Sequence, residues 1–370
     1  MRTFVMGDPQ APFAKVLEVL DRHGALAGDR LAPDVTLVSI GDHFDYDFRD
    51  PATCAREGLA LLRWLASHDP AQVHIVLGNH DASRVMELAA ISDARFAEAR
   101  VLARALDRDA ADSLDQPLDA PDAFATRFPE LPPAGVIGRD YASFTTEQRA
   151  LVMELLLAGR FHLALVGELP PSRGHVLITH AAVTTRELAM LDLLGVEDPH
   201  RIAAALEAHL VAAVERVRDD WTRGIATPLS LAPLHVAGGH GLEGGGLLYH
   251  RPSNPATGAT FDPARPRRFD PRRLPNGLTQ IAGHSGHAKC VQELGAWCSA
   301  AAKARKHGGI RALVVDGERV TYELGLGADP FVCFGGWSGG DGAAELILID
   351  GELRRVPSDE VELLELAGVG

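Results

Sequence analysis

Three short apolar runs near the start of the chain each stop at a glycine followed by an acid or an amide. They are Thr3–Met6 before Gly7-Asp8, Val35–Ile40 before Gly41-Asp42, and Val73–Leu77 before Gly78-Asn79. Aliphatic runs of this length bounded by glycine predict buried strands. Between them, Phe13, Val16, Leu17 and Leu20 recur at the helical period, and so do Leu59, Leu62 and Leu65 or Trp64 within Ala55–His68. Strands alternating with amphipathic helices predict an α/β fold with parallel strands.

The pattern continues with more irregularity. Ala82–Leu106 reads as one helix, and residues 109–143, rich in Asp, Pro and Ala, read as a surface excursion outside the core. Thr145 or Thr146, with Glu147 in the first turn, predicts a helix through about Leu157. Phe161–Glu168 and His175–Thr179 read as two strands joined by a turn-rich link at 169–174. Asp198 followed by Pro199 predicts the capped start of a helix reaching about Trp221. Residues 222–277 are dominated by Gly, Pro and Arg and read as a long loop. Thr279–Ala282 reads as a further strand, and Ile310–Val315, Val320–Leu324 and Ala344–Ile349 as a closing antiparallel set. Asp316-Gly317 and Asp350-Gly351 serve there as hairpin dipeptides.

With 370 residues, 46% of them hydrophobic and 23% charged, the chain is long enough for a full core, which excludes a disordered or fibrous class. Its net charge of −14 argues against general nucleic-acid binding. The four cysteines, Cys54, Cys290, Cys298 and Cys333, have no Cys-x-x-Cys spacing and read as buried reduced thiols. No secretory leader is expected from the first residues, and no apolar stretch is long enough to span a membrane, so a cytoplasmic protein is the expectation.

The chemistry-bearing residues sit just past the apolar runs: Gly7-Asp8-Pro9-Gln10, Gly41-Asp42-His43-Phe44-Asp45, Gly78-Asn79-His80-Asp81, Thr179-His180-Ala181 and Gly283-His284-Ser285-Gly286-His287. Any one of them could be a cap or a turn former. Five such clusters at strand ends are hard to obtain from capping alone. In open α/β sheets the strand ends face a common crevice. Carboxylate, amide and imidazole converging there suit a divalent metal such as Mn, Fe, Ni, Co or Zn.

This order of motifs resembles the calcineurin-like metallophosphoesterase superfamily, over roughly residues 3–290. The segment Leu77-Gly78-Asn79-His80-Asp81 is most similar to the bacterial phosphoprotein-phosphatase and diadenosine-tetraphosphatase branch. The resemblance implies a four-layer α-β-β-α sandwich, two mixed sheets flanked by helices, with a long insertion before the last motif. It implies one catalytic domain over 1–370 with an insertion or lid at about 185–277. It also implies two divalent metal ions about 3.5 Å apart, Mn the first expectation with Fe, Zn, Ni or Co as alternatives. By position, Asp8 and Gln10 would hold one metal, Asp42 would bridge both, and Asn79, His180 and His284 would hold the other. A hydroxide between the metals would attack phosphorus directly, and His80, oriented by Asp45, would protonate the leaving group. The substrate would be a phosphorylated small molecule, a nucleotide, a dinucleotide polyphosphate or a phosphoprotein.

The chain departs from the superfamily pattern in three places. Gln10 stands where a His is usual, and a neutral amide is the weaker ligand. Tyr46 follows Asp45 where one branch has an Arg that clamps phosphate. His287 is one residue off the position that often supplies a ligand, which leaves it as a substrate contact or a structural residue. Arg251, in Gly246-Leu247-Leu248-Tyr249-His250-Arg251, resembles the phosphate-binding Arg of the bacterial enzymes and could compensate. The arginines at 265, 267, 268, 272 and 273 read as a solvated run that could steer anions. His162, His200 and His209 read as residues without partners. A non-catalytic metal or phosphate-binding scaffold remains the alternative from another class, with Gln10 and Tyr46 as marks of lost chemistry.

Overall fold

In the computed structural model, which describes residues 2–112, 120–170, 174–258, 260–307, 309–325 and 342–370, the buried side chains of the first strands alternate with period two between two apolar clusters. In β1 (Arg2–Met6), Phe4 and Met6 join one apolar cluster and Val5 another; in β2 (Val35–Ser39), Leu37 and Val38 divide the same way, as do Ile75 and Val76 in β3 (Val73–Val76). Strands β1, β2, β3 and the short β4 (Phe161–His162) run parallel in that order. The crossovers are α1 (Phe13–Arg22), α2 (Pro51–Ala66) and the segment holding α3 (Asn79–Ser83), α4 (Asp93–Asp112), α5 (Ala120–Arg127) and α6 (Thr146–Leu157). Asp50 caps α2 by accepting from Thr53 N at 3.2 Å with Pro51 at the first helical position. Thr145 and Gln148 cap α6 reciprocally, each such cap being worth about 1 kcal/mol.

The second sheet begins where the first ends. The apolar run Phe161–Glu168, which reads as one strand, divides at Leu163 into β4 in the first sheet and β5 (Ala164–Glu168) in the second. Because both sheets are covered on both faces, an unbroken apolar run carries no mark of the corner. β6 (His175–Thr179) pairs antiparallel with β5; then, after α7 (Thr185–Met190) and α8 (Pro199–Thr222), β7 (Thr279–Ala282) pairs parallel with β6. α8 starts at the Asp198 cap and Pro199, as expected. Helices α9 (His287–Leu294) and α10 (Ala300–Ala304) lead to the hairpin of β8 (Arg311–Asp316) and β9 (Arg319–Leu324), which turns at Gly317 with φ 58°. β10 (Ala344–Leu348) lies between β8, antiparallel, and β7, parallel. The chain then closes both sheets, with β11 (Leu364–Leu366) beside β1 and β12 (Gly368–Val369) beside β5.

Val5, Val38, Ile40 and Val76 meet Val176, Ile178, Ile281 and Ile347 between the sheets. α1, α2 and α6 cover the outer face of the first sheet, α8 packs on β5 and β6, and α9 and α10 cover β8 and β10. These are the four layers of an α-β-β-α sandwich. Among the described residues no helix is long and apolar enough to cross a membrane. Cys54, Cys290 and Cys298 are buried free thiols, and Cys333 lies outside the described residues.

Several expectations need correction. Ala82–Leu106 is not one helix: turns separate α3 from α4, where Arg95 N donates to Ser92 Oγ at 3.3 Å. Residues 109–143, in their described part, are no surface excursion. Phe124, Phe128, Leu131, Ile137 and Tyr141 are buried in a satellite core with Phe96 and Phe144. Their aromatic rings outweigh a composition poor in helix signals. Asp350-Gly351 makes no hairpin, because the next strand of the chain, β11, belongs to the other sheet. His162 has a partner, Glu207, at 2.9 Å; His209 meets the Leu231 carbonyl at 3.0 Å, and His200 packs edge-on to His175. Most of the arginine run is not free charge. Arg268 makes two 2.9 Å bonds to Glu293, Arg272 pairs with Asp270 and Glu318, and Arg267 pairs with Glu243.

Candidate active site

Asp8, Asp42 and Asn79 follow the C-terminal ends of β1, β2 and β3, and His180 and His284 follow those of β6 and β7. The sandwich therefore brings both sheets' strand ends to one edge. Ligand-type atoms of Asp42, His180 and His284 lie within 4.8 Å of one another, and all three residues are buried. His180 Nε2 is 3.0 Å from Asn79 Oδ1 and 3.5 Å from Asp42 Oδ1, while its Nδ1 meets the Ile40 carbonyl at 2.8 Å. That second contact fixes the ring and leaves Nε2 facing Asn79 and Asp42. His284 N donates to both oxygens of Asp8, at 3.1 and 2.9 Å. Gln10 commits its Nε2 to the Phe44 carbonyl at 3.2 Å, so its carbonyl oxygen is the atom left for a cation.

The backbone is built around this edge. Asp42, Asp45 and His284 hold positive φ of 59°, 66° and 57°, a strain of about 1–3 kcal/mol each that concentrates at one place. Two glycines permit the close approach: a Cβ on Gly78 would lie 2.3 Å from Asp42 Oδ1, and one on Gly283 would lie 2.1 Å from Asp8 Oδ1. Behind the ligand-type residues, Asp81 clamps two loops by accepting from Asp42 N, Gly78 N and His43 Nδ1 at 3.0, 3.1 and 3.0 Å.

His80 sits over the cluster. Its Nδ1 is 2.9 Å from Asp45 Oδ2 and its Nε2 is 3.8 Å from Asp42 Oδ2. Burial disfavours the imidazolium, but the Asp42 and Asp45 carboxylates outweigh burial and lift its pKa to about 9. Asp45 is itself buried, which opposes ionisation; Arg84, then His80 and Ser143, bring its pKa down to about 2. Arg84 is fully buried and uses its donors on Asp45 Oδ2 (2.6 Å), the His80 carbonyl (2.7 Å), Ser83 Oγ (3.0 Å), Ser143 Oγ and Gln148 Oε1 (both 3.3 Å). Sequence reading missed Arg84 because it falls within a helix-like run. It also missed Ser143, inside the supposed excursion, and Tyr249, whose ring packs edge-on to His284 at 5.9 Å and whose hydroxyl meets that of Tyr141.

The donor set fits a cation. Burial, then the neighbouring carboxylates of Asp350 and Asp42, push the Asp8 carboxyl well above its usual range. Burial, then the charge of Arg251, holds His284 well below the usual imidazole value and so in the neutral, metal-binding form. The buried His284 Nε2 has no hydrogen-bond partner. Crowded carboxylates, a neutral imidazole with an orphan nitrogen and two amide side chains are together what a divalent ion satisfies.

A cleft of about 600 Å³ opens over the cluster, lined by Asp8, Gln10, His80, Arg251, Arg267 and His284 among others. Arg251 pairs in register with Arg268 in a two-residue ribbon, Arg251–Pro252 with Arg268–Phe269, which carries Arg251 and the adjacent Arg267 to the cleft wall. His287 lies apart from the site chemistry: Nδ1 meets the Tyr322 hydroxyl at 2.8 Å and Nε2 the Ala302 carbonyl at 3.0 Å, so both ring nitrogens are used structurally.

A family model described as calcineurin-like phosphoesterase matches residues 1–182. No curated protein and no solved structure matches the chain. The matched segment holds Asp8, Gln10, Asp42, Asn79, His80 and His180, whereas Arg251 and His284 lie beyond it.

Proposed function

Since residues 1–182 belong to the calcineurin-like phosphoesterase family, whose members are metal-dependent, we infer that this chain hydrolyses a phosphate ester at the edge formed by Asp8, Asp42, Asn79, His180 and His284. The observation that carries the reading is the His80–Asp45 contact at 2.9 Å beside Asp42. A protein that only binds metal or phosphate has no use for an imidazole held protonated over the ligand set. An enzyme that must expel an alkoxide does.

Asp8 and Gln10 would hold one cation, Asn79, His180 and His284 a second, and Asp42 both. Bound there, divalent cations supply Lewis-acid polarisation of the phosphoryl group and acidify a water near neutral pH. The chain's own residues do the rest. Arg251 at the cleft wall positions the phosphoryl oxygens, in the place that Tyr46 cannot fill. His80 donates its proton to the departing oxygen, and Asp45 holds the ring and its charge through that transfer. Arg84 and Ser143 keep Asp45 ionised and fixed.

The test is hydrolysis of p-nitrophenyl phosphate by protein supplied with Mn, against Asp42→Asn. Turnover that falls by about 10²-fold or more in the variant is expected. Full activity in Asp42→Asn overturns the reading. A second reading, a dinucleotide polyphosphate hydrolase, is favoured by the breadth of the cleft, whose walls carry Arg139, Arg251, Arg267, Lys289, Arg354 and Arg355. A higher kcat/KM for diadenosine tetraphosphate than for the aryl ester would select it.

A further inference from the structure

A second cavity lies behind the ribbon that carries Arg251. It measures about 730 Å³, larger than the catalytic cleft, and among the described residues the two share no lining position. The ribbon belongs to both walls. It is closed by Arg251 N donating to the Arg267 carbonyl at 3.0 Å and Ser253 N to that of Phe269 at 2.9 Å. Arg251 and Arg267 line the catalytic cleft, whereas His250, Arg268 and Phe269 line the cavity behind.

Much of this lining is apolar: Leu194, Pro255, Phe261, Pro263, Pro266 and Phe269. Flat rings and prolines around a volume of this size suit a planar aromatic body. Two polar groups there stand without partners. His250 is buried and spends Nδ1 on the Ala182 carbonyl at 3.1 Å, with Glu187 Oε2 at 3.6 Å. Neither Ala182 nor Glu187 lines the cavity, so the imidazole meets it with the rest of its ring, where the buried Nε2 has no hydrogen-bond partner. A polar ligand atom would relieve that unpaired nitrogen in either protonation form of the ring. Arg186 and Arg268 are neutralised by Glu187 and Glu293, which stand outside the lining, and Asp270 is neutralised by Arg272. Asp262, the other acid of the lining, accepts from Ala264 N at 2.8 Å. Arg273 is exposed and meets no carboxylate among the described residues, so its guanidinium is available to an acidic group.

We propose that this cavity is a second ligand site, separate from the catalytic cleft, for a planar aromatic acid. Its rings lie among Phe261, Phe269 and the prolines, a polar atom meets His250 Nε2, and its acidic group meets Arg273. The occupant touches His250, Arg268 and Phe269, and so bears on the ribbon that sets the position of Arg251. Binding does not depend on the hydrolytic reading above; the effect on Arg251 rests on it.

The probe is anilinonaphthalene sulfonate, which joins aromatic rings, an N–H donor and an acid, titrated by isothermal calorimetry into wild type, Ala189→Trp and Arg273→Glu. Ala189 and Arg273 are exposed residues of the lining, so both variants should fold. One probe per wild-type chain is expected, weakened about tenfold or more in each variant, by occlusion in the first and by like charge in the second. No binding by wild type, or equal affinity in all three proteins, overturns the proposal. With glycerol phosphate as substrate and Mn supplied, the probe should shift the wild-type KM by about fivefold or more, with kcat nearly kept, and leave Ala189→Trp unmoved. A bound probe that leaves KM unchanged overturns the link to Arg251. No hydrolysis in the absence of probe overturns the phosphoesterase reading instead, while calorimetry still decides the cavity.

Discussion

Asp45 Oδ2 is shared by two cations, His80 Nδ1 at 2.9 Å and Arg84 Nη2 at 2.6 Å. Removing Arg84 leaves His80 its partner but takes away the buried fork that holds that partner still. Proton donation matters most when the leaving group is a poor one. Arg84→Met should therefore lower kcat for an alkyl phosphate by about 10-fold or more while changing kcat for p-nitrophenyl phosphate little. Equal losses on both esters would make Arg84 a general stability residue. Thermal unfolding monitored alongside separates that outcome, since an unpaired buried charge costs about 3–5 kcal/mol.

The same triangle sets a pH limb. Against the effect of burial, Asp42 and then Asp45 raise the His80 pKa from 6.5 to about 9. Cations held on Asp42 would offset its share, so in the metal-loaded protein the acid form is lost on the alkaline side at a pH below about 9. Activity should fall on that alkaline side. Asp45 raises the His80 value and Arg84 lowers it, so Asp45→Asn should move the limb to lower pH and Arg84→Met to higher pH. The pH profile of kcat for an alkyl phosphate reads both directions, and a limb unmoved by either variant would remove His80 from the proton-donor role.

The first sheet was legible in the sequence because its strands are short, end at glycine and are separated by periodic helices. The ligand-type residues were legible for the same reason: Asp8, Asp42 and Asn79 sit where the period breaks. What stayed hidden has physical causes. The corner at Leu163 is silent because both halves of Phe161–Glu168 are buried on both faces. Arg84 is silent because an arginine within a helix-like run is ordinarily solvated, and only the fold shows Asp45 and Ser143 closing on it from Asp45's loop and from a segment that looked like surface. Asp350 was mistaken for a turn former because Asp-Gly is a local signal, whereas its neighbours Gly7 and Gly286 are distant in sequence.

Glu293 supports the cleft from behind. It is nearly buried, accepts two bonds from Arg268 and one from Ser253 Oγ at 2.8 Å, and so ties α9 to the ribbon that carries Arg251. Burial would raise its pKa, but Arg268, Ser253 and Lys289 bring it from 4.5 down to about 2. A depressed carboxylate gives stability that is present above its unfolded value and lost as pH falls through the folded one. Glu293→Gln should unfold more easily at pH 7, lose less on acidification between about 4.5 and 2 than wild type does, and show a raised KM with kcat nearly kept. Urea titrations at both pH values and steady-state kinetics test this. An unchanged KM would separate the ribbon's position from Glu293.

Gly283 decides whether Asp8 can stand where it does. Its φ lies outside the left-handed region, so alanine is tolerated by the backbone, but the added methyl would fall 2.1 Å from Asp8 Oδ1 and 2.7 Å from Ile40 Cγ2. Ile40 is fully buried and packed between the sheets and cannot retreat, so the carboxylate must. Moving it breaks the two bonds from His284 N and withdraws an oxygen from the proposed cation site. Overpacking of this kind costs about 1–3 kcal/mol of stability. Gly283→Ala should thus remain folded with a lowered melting temperature and lose Mn affinity as Asp8→Asn does. Gly368→Ala, where the nearest atom is 3.8 Å away, should change neither property. Wild-type Mn binding by Gly283→Ala would show that Asp8 in its observed position is not a ligand.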